Sequence, residues 1–194
     1  MQNNMRKSDL LLNEVVTVRR ELKEVQDKYG QTVSELALLT KADLVPKVKG
    51  LTNGTSVDEI RKGTQPVFEE IDNLLFNLQE LQVKMDEIIQ NMDGWDFADK
   101  THEKILEILR DQETMQNKLR DDLIAIEQEL TDLFEEDDEE TAKEDVLKSL
   151  EDYLLDFSRL QDYVQEYIPK IEDLFDEIDD TLKKSMKYSN TRAI

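Results

Sequence analysis

Apolar residues recur along this chain at alternating steps of three and four, and the resulting stripes predict long helices. The first stripe runs from residue 11 to residue 39, with Thr32 as its one polar member. Heptad spacing of this kind gives a helix one apolar face and favours packing against another helix. The stripe predicts a helix over about residues 4–40. Its apolar members are Leu11, Val15, Val18, Leu22, Val25, Tyr29, Leu36 and Leu39.

Three further stripes follow the first. The second occupies residues 67–92, the third residues 98–133, and the fourth begins at Val146 and continues beyond Pro169. Phe68, Leu75 and Ile89 flank the second stripe and widen its predicted buried face, and the stripe itself consists of Val67, Ile71, Leu74, Leu78, Leu81, Met85, Ile88 and Met92. Short connections between successive helices favour antiparallel neighbours. The predicted fold class is therefore all-α: an elongated antiparallel helical bundle, or coiled coil, of three to four long helices with no sheet.

Local signals predict where these helices begin and end. Ser56 with Glu59 three residues later has the capping-box pattern, and Thr141 with Glu144 repeats it. Gly94 suits the left-handed residue that ends a helix.

Glycine and proline divide the chain further. Residues 41–63 contain Pro46, Gly50, Gly54 and Gly63 and are predicted to form a linker with a short helix. Thr64 is the predicted cap of the next long helix, because the proline at position 66 is tolerated in a first turn. Residues 64–190 are predicted to form an antiparallel three-helix bundle. The N-terminal heptad helix, residues 1–40, either closes a four-helix bundle or projects to bind a partner.

Charge limits the classes of partner. The net charge is −21, and residues 51–194 carry all of the excess, about −23, because residues 1–50 hold nine basic and seven acidic residues. Such a field repels nucleic acids and anionic lipids and attracts basic proteins.

No apolar run is long enough to span a membrane. With no cysteine and no signal-peptide pattern, an intracellular location, cytoplasmic or nuclear, is predicted.

An unbroken acidic row lies between the third and fourth predicted helices. A calcium loop needs a turn glycine and a closing glutamate at set positions, and the row does not supply them. No metal is therefore predicted, and the row is either a solvated corner or a patch that binds a basic partner. Its members are Glu135, Glu136, Asp137, Asp138, Glu139 and Glu140.

Other polar and aromatic residues offer little chemistry. His102 is the one histidine, too few for a di-iron bundle site, and no phosphate loop or catalytic motif occurs. Gln112 and Gln116 fall in core register and either are buried and fix the packing register or oligomeric state, or mark a wet or partner-facing section. Trp95, in a turn, either anchors a partner or plugs the end of the bundle. No enzyme activity, cofactor or small-molecule substrate is predicted.

The leading hypothesis is a non-catalytic structural or adaptor subunit of a larger assembly. It would bind other helical proteins, or itself, through its heptad faces, with the first stripe and Trp95 as the predicted binding residues. The alternative is an acidic chaperone-like or decoy module that holds a basic protein. Salt separates the two, because charge attraction weakens with salt more than heptad pairing does.

Overall fold

The computed structural model describes the backbone of residues 2–133 and 139–191 and the side chains of residues 7–133 and 140–187. The regular elements of these ranges are helical, and no strand occurs among them, so the predicted all-α class is confirmed. The α-helices are α1 (Gln2–Leu39), α2 (Val45–Lys49), α3 (Val57–Gln90), α4 (Asp99–Asp132) and α5 (Glu139–Thr191).

The four long helices pack side by side around one core. α1 and α4 each lie against both α3 and α5. Arg19, near the middle of α1, contacts Glu172 late in α5, whereas Thr40 after α1 meets Tyr153 in the first half of α5. These two helices are therefore antiparallel. Of the two arrangements that the sequence left open for the N-terminal helix, the structure shows the closed four-helix bundle.

The α4 stripe lines the core as the sequence predicted, but the α1 stripe drifts by one position. In α1, Gln26 and Val33 are buried where the strict heptad placed Val25 and Thr32. A straight α-helix has 3.6 residues per turn, so a 3.5-residue repeat rotates away from the core unless an extra step of four corrects it. Here Leu22 and Gln26 are separated by such a step.

The same shift occurs in α3. Leu75 and Ile89, which were predicted to widen the buried face, are buried, and so is Gln82, which was not predicted. The stripe positions one residue earlier are half-buried and pack at the rim of the core. Those positions are Leu74, Leu81 and Ile88. A helix that packs against two others buries a face wider than one seam, so both sets contribute.

The segment between α1 and α3 is folded onto the bundle. It contains a π-helical turn at Thr40–Leu44, then α2, then a 3-10 turn at Gly50–Thr52. Leu44, Val48 and Leu51 are buried there. The apolar side chains of this segment thus belong to the same core as the long helices.

The start of α3 differs from the prediction. The Ser56 hydroxyl caps the helix by accepting a hydrogen bond from the Glu59 backbone N–H at 3.2 Å, as the capping box predicted. From there α3 continues through Gly63 and Pro66 without a break, so the long helix begins at Val57 and not at Thr64. Thr64 instead donates to the Ile60 carbonyl at 2.7 Å from within the helix. Pro66 is exposed, where water can satisfy the carbonyl that its ring leaves unpaired.

The remaining helix ends also bear on the predictions. Gly94 adopts φ +90° in the turn after α3, the left-handed conformation predicted for it. α5 begins at Glu139, so Thr141 lies inside the helix and is not its cap. Pro169 lies inside α5, which continues to Thr191.

None of the helices in the described ranges has a stretch long and apolar enough to cross a membrane.

Candidate partner-binding surface

The predicted partner-binding stripe of α1 lies largely inside the bundle. Its buried members are Val15, Val18, Leu22, Tyr29 and Leu36, and its half-buried members are Leu11, Val25 and Leu39. A partner that binds these side chains would have to displace α1 from α3 and α5. Partner binding by this stripe stays a prediction, and in the structure the stripe serves the protein's own core.

Polar contacts fix the position of α1 on its neighbours. Arg19 donates to Glu172 at 2.8 Å, and its guanidinium also pairs with Asp176 at 2.8 Å. Just after the C-terminal end of α1, the hydroxyls of Thr40 and Tyr153 are 3.1 Å apart in the core. One set of contacts lies near the middle of α1 and the other just after its end, and neither would form if the helix slipped by one turn.

A hydrogen-bonded layer crosses the middle of the core. The Tyr29 hydroxyl of α1 donates to Gln116 Oε1 of α4 at 2.8 Å, and Gln116 Nε2 donates to Gln79 Oε1 of α3 at 2.9 Å. Burial raises the pKa of Tyr29 well above its usual value, so its hydroxyl keeps its proton. The layer joins three helices through one glutamine.

A second glutamine pair lies beside the first. Gln112 Nε2 donates to Gln82 Oε1 at 3.1 Å, and Gln82 Nε2 donates to the Leu109 carbonyl at 3.0 Å. Gln112 and Gln116 are each 3% exposed. They are therefore buried in the core and do not lie in a wet or partner-facing section. Gln82 was missed, because the strict heptad placed Leu81 in the core.

Two carboxyl groups meet between α4 and α5. Asp156 is buried and lies 3.3 Å from Lys118 Nζ and 3.4 Å from the Arg159 guanidinium. Burial, then a hydrogen bond with Asp156 and the charge of that group, raises the pKa of Asp122 to about 7. The hydrogen bond from Asp122 lowers the pKa of Asp156. Below about pH 7 the pair therefore shares one proton, with two cations beside the ionised member.

This pair gives the bundle a pH-dependent stability. The folded state keeps a proton on Asp122 between about pH 4 and pH 7, where the unfolded chain has lost it, so stability should fall as pH rises through this window. Burial also raises the pKa values of Asp72, Asp86 and Glu129, which adds to the same trend. Asp122 is partly exposed, so we expect its share of the loss to be on the order of 1 kcal/mol.

Urea unfolding at pH 5.5, 7.0 and 8.5 measures the effect. Asp122→Asn removes the proton-sharing carboxyl and should flatten the pH dependence while raising stability at pH 8.5. Asp162→Asn, at an exposed position on α5, changes the net charge equally and is the matched control. Equal pH profiles for the two variants would show that total charge, and not this pair, sets the dependence.

Trp95 occupies the end of the bundle. It is 4% exposed and stacks on Phe97 with ring centroids 6.3 Å apart. Trp95 was predicted either to anchor a partner or to plug the end of the bundle, and its burial fits the plug. Binding of a partner by Trp95 stays a prediction, and it would require the turn to open.

The predicted acidic patch can be placed only in part. Glu135, Glu136, Asp137 and Asp138 lie outside the described residues, Glu139 is described by its backbone alone, and Glu140 is exposed at the start of α5. Its role as a basic-partner patch stays a prediction. His102 is half-buried in α4, and no group of three acidic or histidine residues with metal-site geometry occurs in the part of the chain that the structure describes.

The seam between α3 and α4 carries the clearest surface feature. Asp72 lies close to Arg120, Gln79 bonds Gln116, and Asp86 lies close to Arg110 and Glu113. On α3 these seam positions are therefore spaced seven residues apart. They define the line along which the two helices meet at the surface.

Three large apolar side chains flank this seam on its solvent side. Phe76 is 63% exposed, Val83 45% and Ile124 51%. Phe76 follows the seam residue Asp72 by four, on the side of the helix away from the buried Leu75, and Val83 repeats that position seven residues later. Ile124 follows Arg120 of α4 by four in the same way. We call these three residues, with the seam between them, the outer α3–α4 face.

This face was not predicted from the sequence. Phe76 and Val83 fall between the predicted core positions and do not belong to a complete apolar stripe. The available signal was a pair of large apolar residues seven apart outside a stripe, in a stretch otherwise polar on that side.

Comparison of the chain with known protein families, curated proteins and solved structures found no matching family model, no similar curated protein and no similar solved structure. Function is therefore inferred from the residues of this chain.

Proposed function

We propose that this protein is a non-catalytic structural or adaptor subunit that binds a helical segment of another protein on its outer α3–α4 face. The observation that supports the proposal is the exposure of Phe76, Val83 and Ile124 on one side of one seam. Clustered exposed apolar residues mark interaction sites, whereas single ones are ordinary. Full burial of such a side chain stabilises an interface by about 1.5–3 kcal/mol.

The geometry of the face favours a helix as the partner element. Phe76 and Val83 lie two turns apart on α3, about 10 Å along its axis. A groove between two helices accepts the apolar side chains of a third helix that repeat at three, four and seven residues. An added helix would extend the packing that already joins α3 to α4.

A second candidate function is an acidic chaperone-like or decoy module that holds a basic protein. The net charge of −21 supports it. Binding of that kind would depend on total charge and not on Phe76, and it should weaken steeply between 50 and 300 mM salt. A helix-binding adaptor should lose less affinity over that range.

Site-specific photo-crosslinking tests the proposal. A photoreactive phenylalanine analogue at position 76, in the native cell type, should crosslink to a defined protein, and the joined peptide should come from a helical segment. The same analogue at Leu155, exposed on α5, is the matched control. Equal crosslinking from both positions, or none from position 76, would contradict the proposed site.

A further inference from the structure

We propose that the partner of the outer α3–α4 face is a basic amphipathic helix of about 15–20 residues lying along the seam. Its apolar residues would rest on Phe76, Val83 and Ile124, and its lysines and arginines would face the carboxylates at the edges of the face. This inference rests on the proposed function and names the chemistry of the partner.

A cleft at one end of the outer α3–α4 face sets the length of the partner helix. The cleft has a volume of about 300 Å³ and is lined by Phe68 of α3 and Leu130 of α4, among others. Phe68 and Val83 are fifteen positions apart on one helix, which corresponds to about 22 Å. A partner helix of four turns or slightly more would span from the cleft to Val83, with one apolar side chain placed in the cleft.

The cleft is acidic. Asp72 and Glu127 line it from opposite helices, with Glu69 and Arg61 nearby. Burial raises the pKa of Glu127, and the charge of Asp72 raises it further. Burial also raises the pKa of Asp72, against the lowering effect of Arg120. Two carboxylates that repel each other in this way would both be stabilised by a cationic side chain placed between them.

The rest of the outer α3–α4 face also carries negative charge. Glu69, Glu80 and Glu87 are exposed on α3 on the side that carries Phe76 and Val83. The two arginines of the seam, Arg110 and Arg120, already lie close to Asp86 and Asp72. The complement of an apolar line with acidic edges is an apolar line with basic edges.

This charge also selects against a second copy of the chain. Two copies would bring two molecules of net charge −21 together, and an isologous contact would set the same carboxylates against each other. The basic Arg19 of α1 is already paired with Glu172 and Asp176. A separate basic helix therefore fits the face better than self-association does.

Synthetic helices supply the probe. A fluorescein-labelled 21-residue peptide with leucine at the heptad core positions and lysine beside them would be titrated with the full-length protein in 150 mM NaCl, by fluorescence anisotropy. A peptide with glutamate in place of lysine is its control. We expect the lysine peptide to bind at least tenfold more tightly than the glutamate peptide.

Variants of exposed residues locate the binding. Phe76→Ser with Val83→Ser should weaken binding of the lysine peptide at least tenfold, and so should Glu80→Lys with Glu87→Lys. Leu38→Ser with Leu155→Ser, an exposed apolar pair on α1 and α5, should leave it unchanged. Circular dichroism melting of each variant checks that the fold is kept.

Several results would overturn the inference. Failure of the lysine peptide to bind, equal binding of the glutamate peptide, or equal loss in the Leu38 and Leu155 control pair would each contradict it. The last result would assign the binding to exposed apolar side chains in general and not to this face. A helical partner crosslinked from position 76 but lacking basic residues would leave the proposed function intact and would remove only this inference.

Discussion

Replacement of Tyr29 with alanine is expected to lower the free energy of unfolding by about 3–5 kcal/mol, the usual cost of removing a buried aromatic side chain. Tyr29 of α1 is buried in the centre of the bundle, and its hydroxyl donates to Gln116 of α4 across the core. The substitution leaves a cavity and also removes the donor to Gln116. This cost arises only if α1 is an integral part of the fold.

Urea unfolding followed by circular dichroism and by Trp95 fluorescence measures this effect with two probes. Tyr29→Phe is the control that keeps the ring, and it should cost only about 1–2 kcal/mol for the lost hydrogen bond. A Tyr29→Ala protein as stable as the wild type would show that α1 does not pack as described. The two probes should report the same transition, because Trp95 belongs to the same core as Tyr29.

Much of the fold could be predicted from apolar spacing alone. The α4 stripe was largely correct because most of its core positions fall on the heptad, including Gln112 and Gln116; Ile108 is buried beside the stripe, and His102 on the stripe is half-buried. The cap at Ser56 and the left-handed conformation of Gly94 were correct because those residues have a specific local role that does not depend on the tertiary fold. The predicted cap position was wrong for Gly94, because α3 ends at Gln90 and Asn91 is its C-cap. Local chemistry and periodicity thus determine most of the secondary structure here.

The errors have one physical source, which is that tertiary packing overrides local signals. Gly63, Pro66 and Thr64 predicted a break, but the helix continues because Ile60, Val67 and Phe68 around them are buried in the core. In α1 the buried position shifts from Val25 to Gln26, and this shift depends on how the helix winds around its neighbours. A strict heptad carries no information about that winding.

The candidate binding surface was harder to predict than the fold. A stripe such as that of α1 has the same sequence pattern whether it faces the protein's own core or a partner. Its assignment needed the position of α1 against α3 and α5. Phe76, Val83 and Ile124 come from two helices, and they form one face only because Asp72, Gln79 and Asp86 set the seam between those helices.

The central claim is that the α1 stripe belongs to the core of this protein, which leaves the outer α3–α4 face for a partner. Removal of residues 1–39 should have the largest effect of any change considered. Burial of each large apolar side chain contributes about 1.5–3 kcal/mol, and Val15, Val18, Leu22, Tyr29, Val33 and Leu36 are all buried. Together these contributions rival the roughly 5–15 kcal/mol by which a typical domain is stable.

The most direct measurement is thermal unfolding of the fragment 40–194, by circular dichroism, with and without a synthetic peptide of residues 1–39. We expect the fragment alone to lose its cooperative transition, and an equimolar amount of the peptide to restore it. A fragment that unfolds cooperatively at the midpoint of the full-length protein, with no response to the peptide, would contradict the claim and return the α1 stripe to the role of a free partner-binding surface.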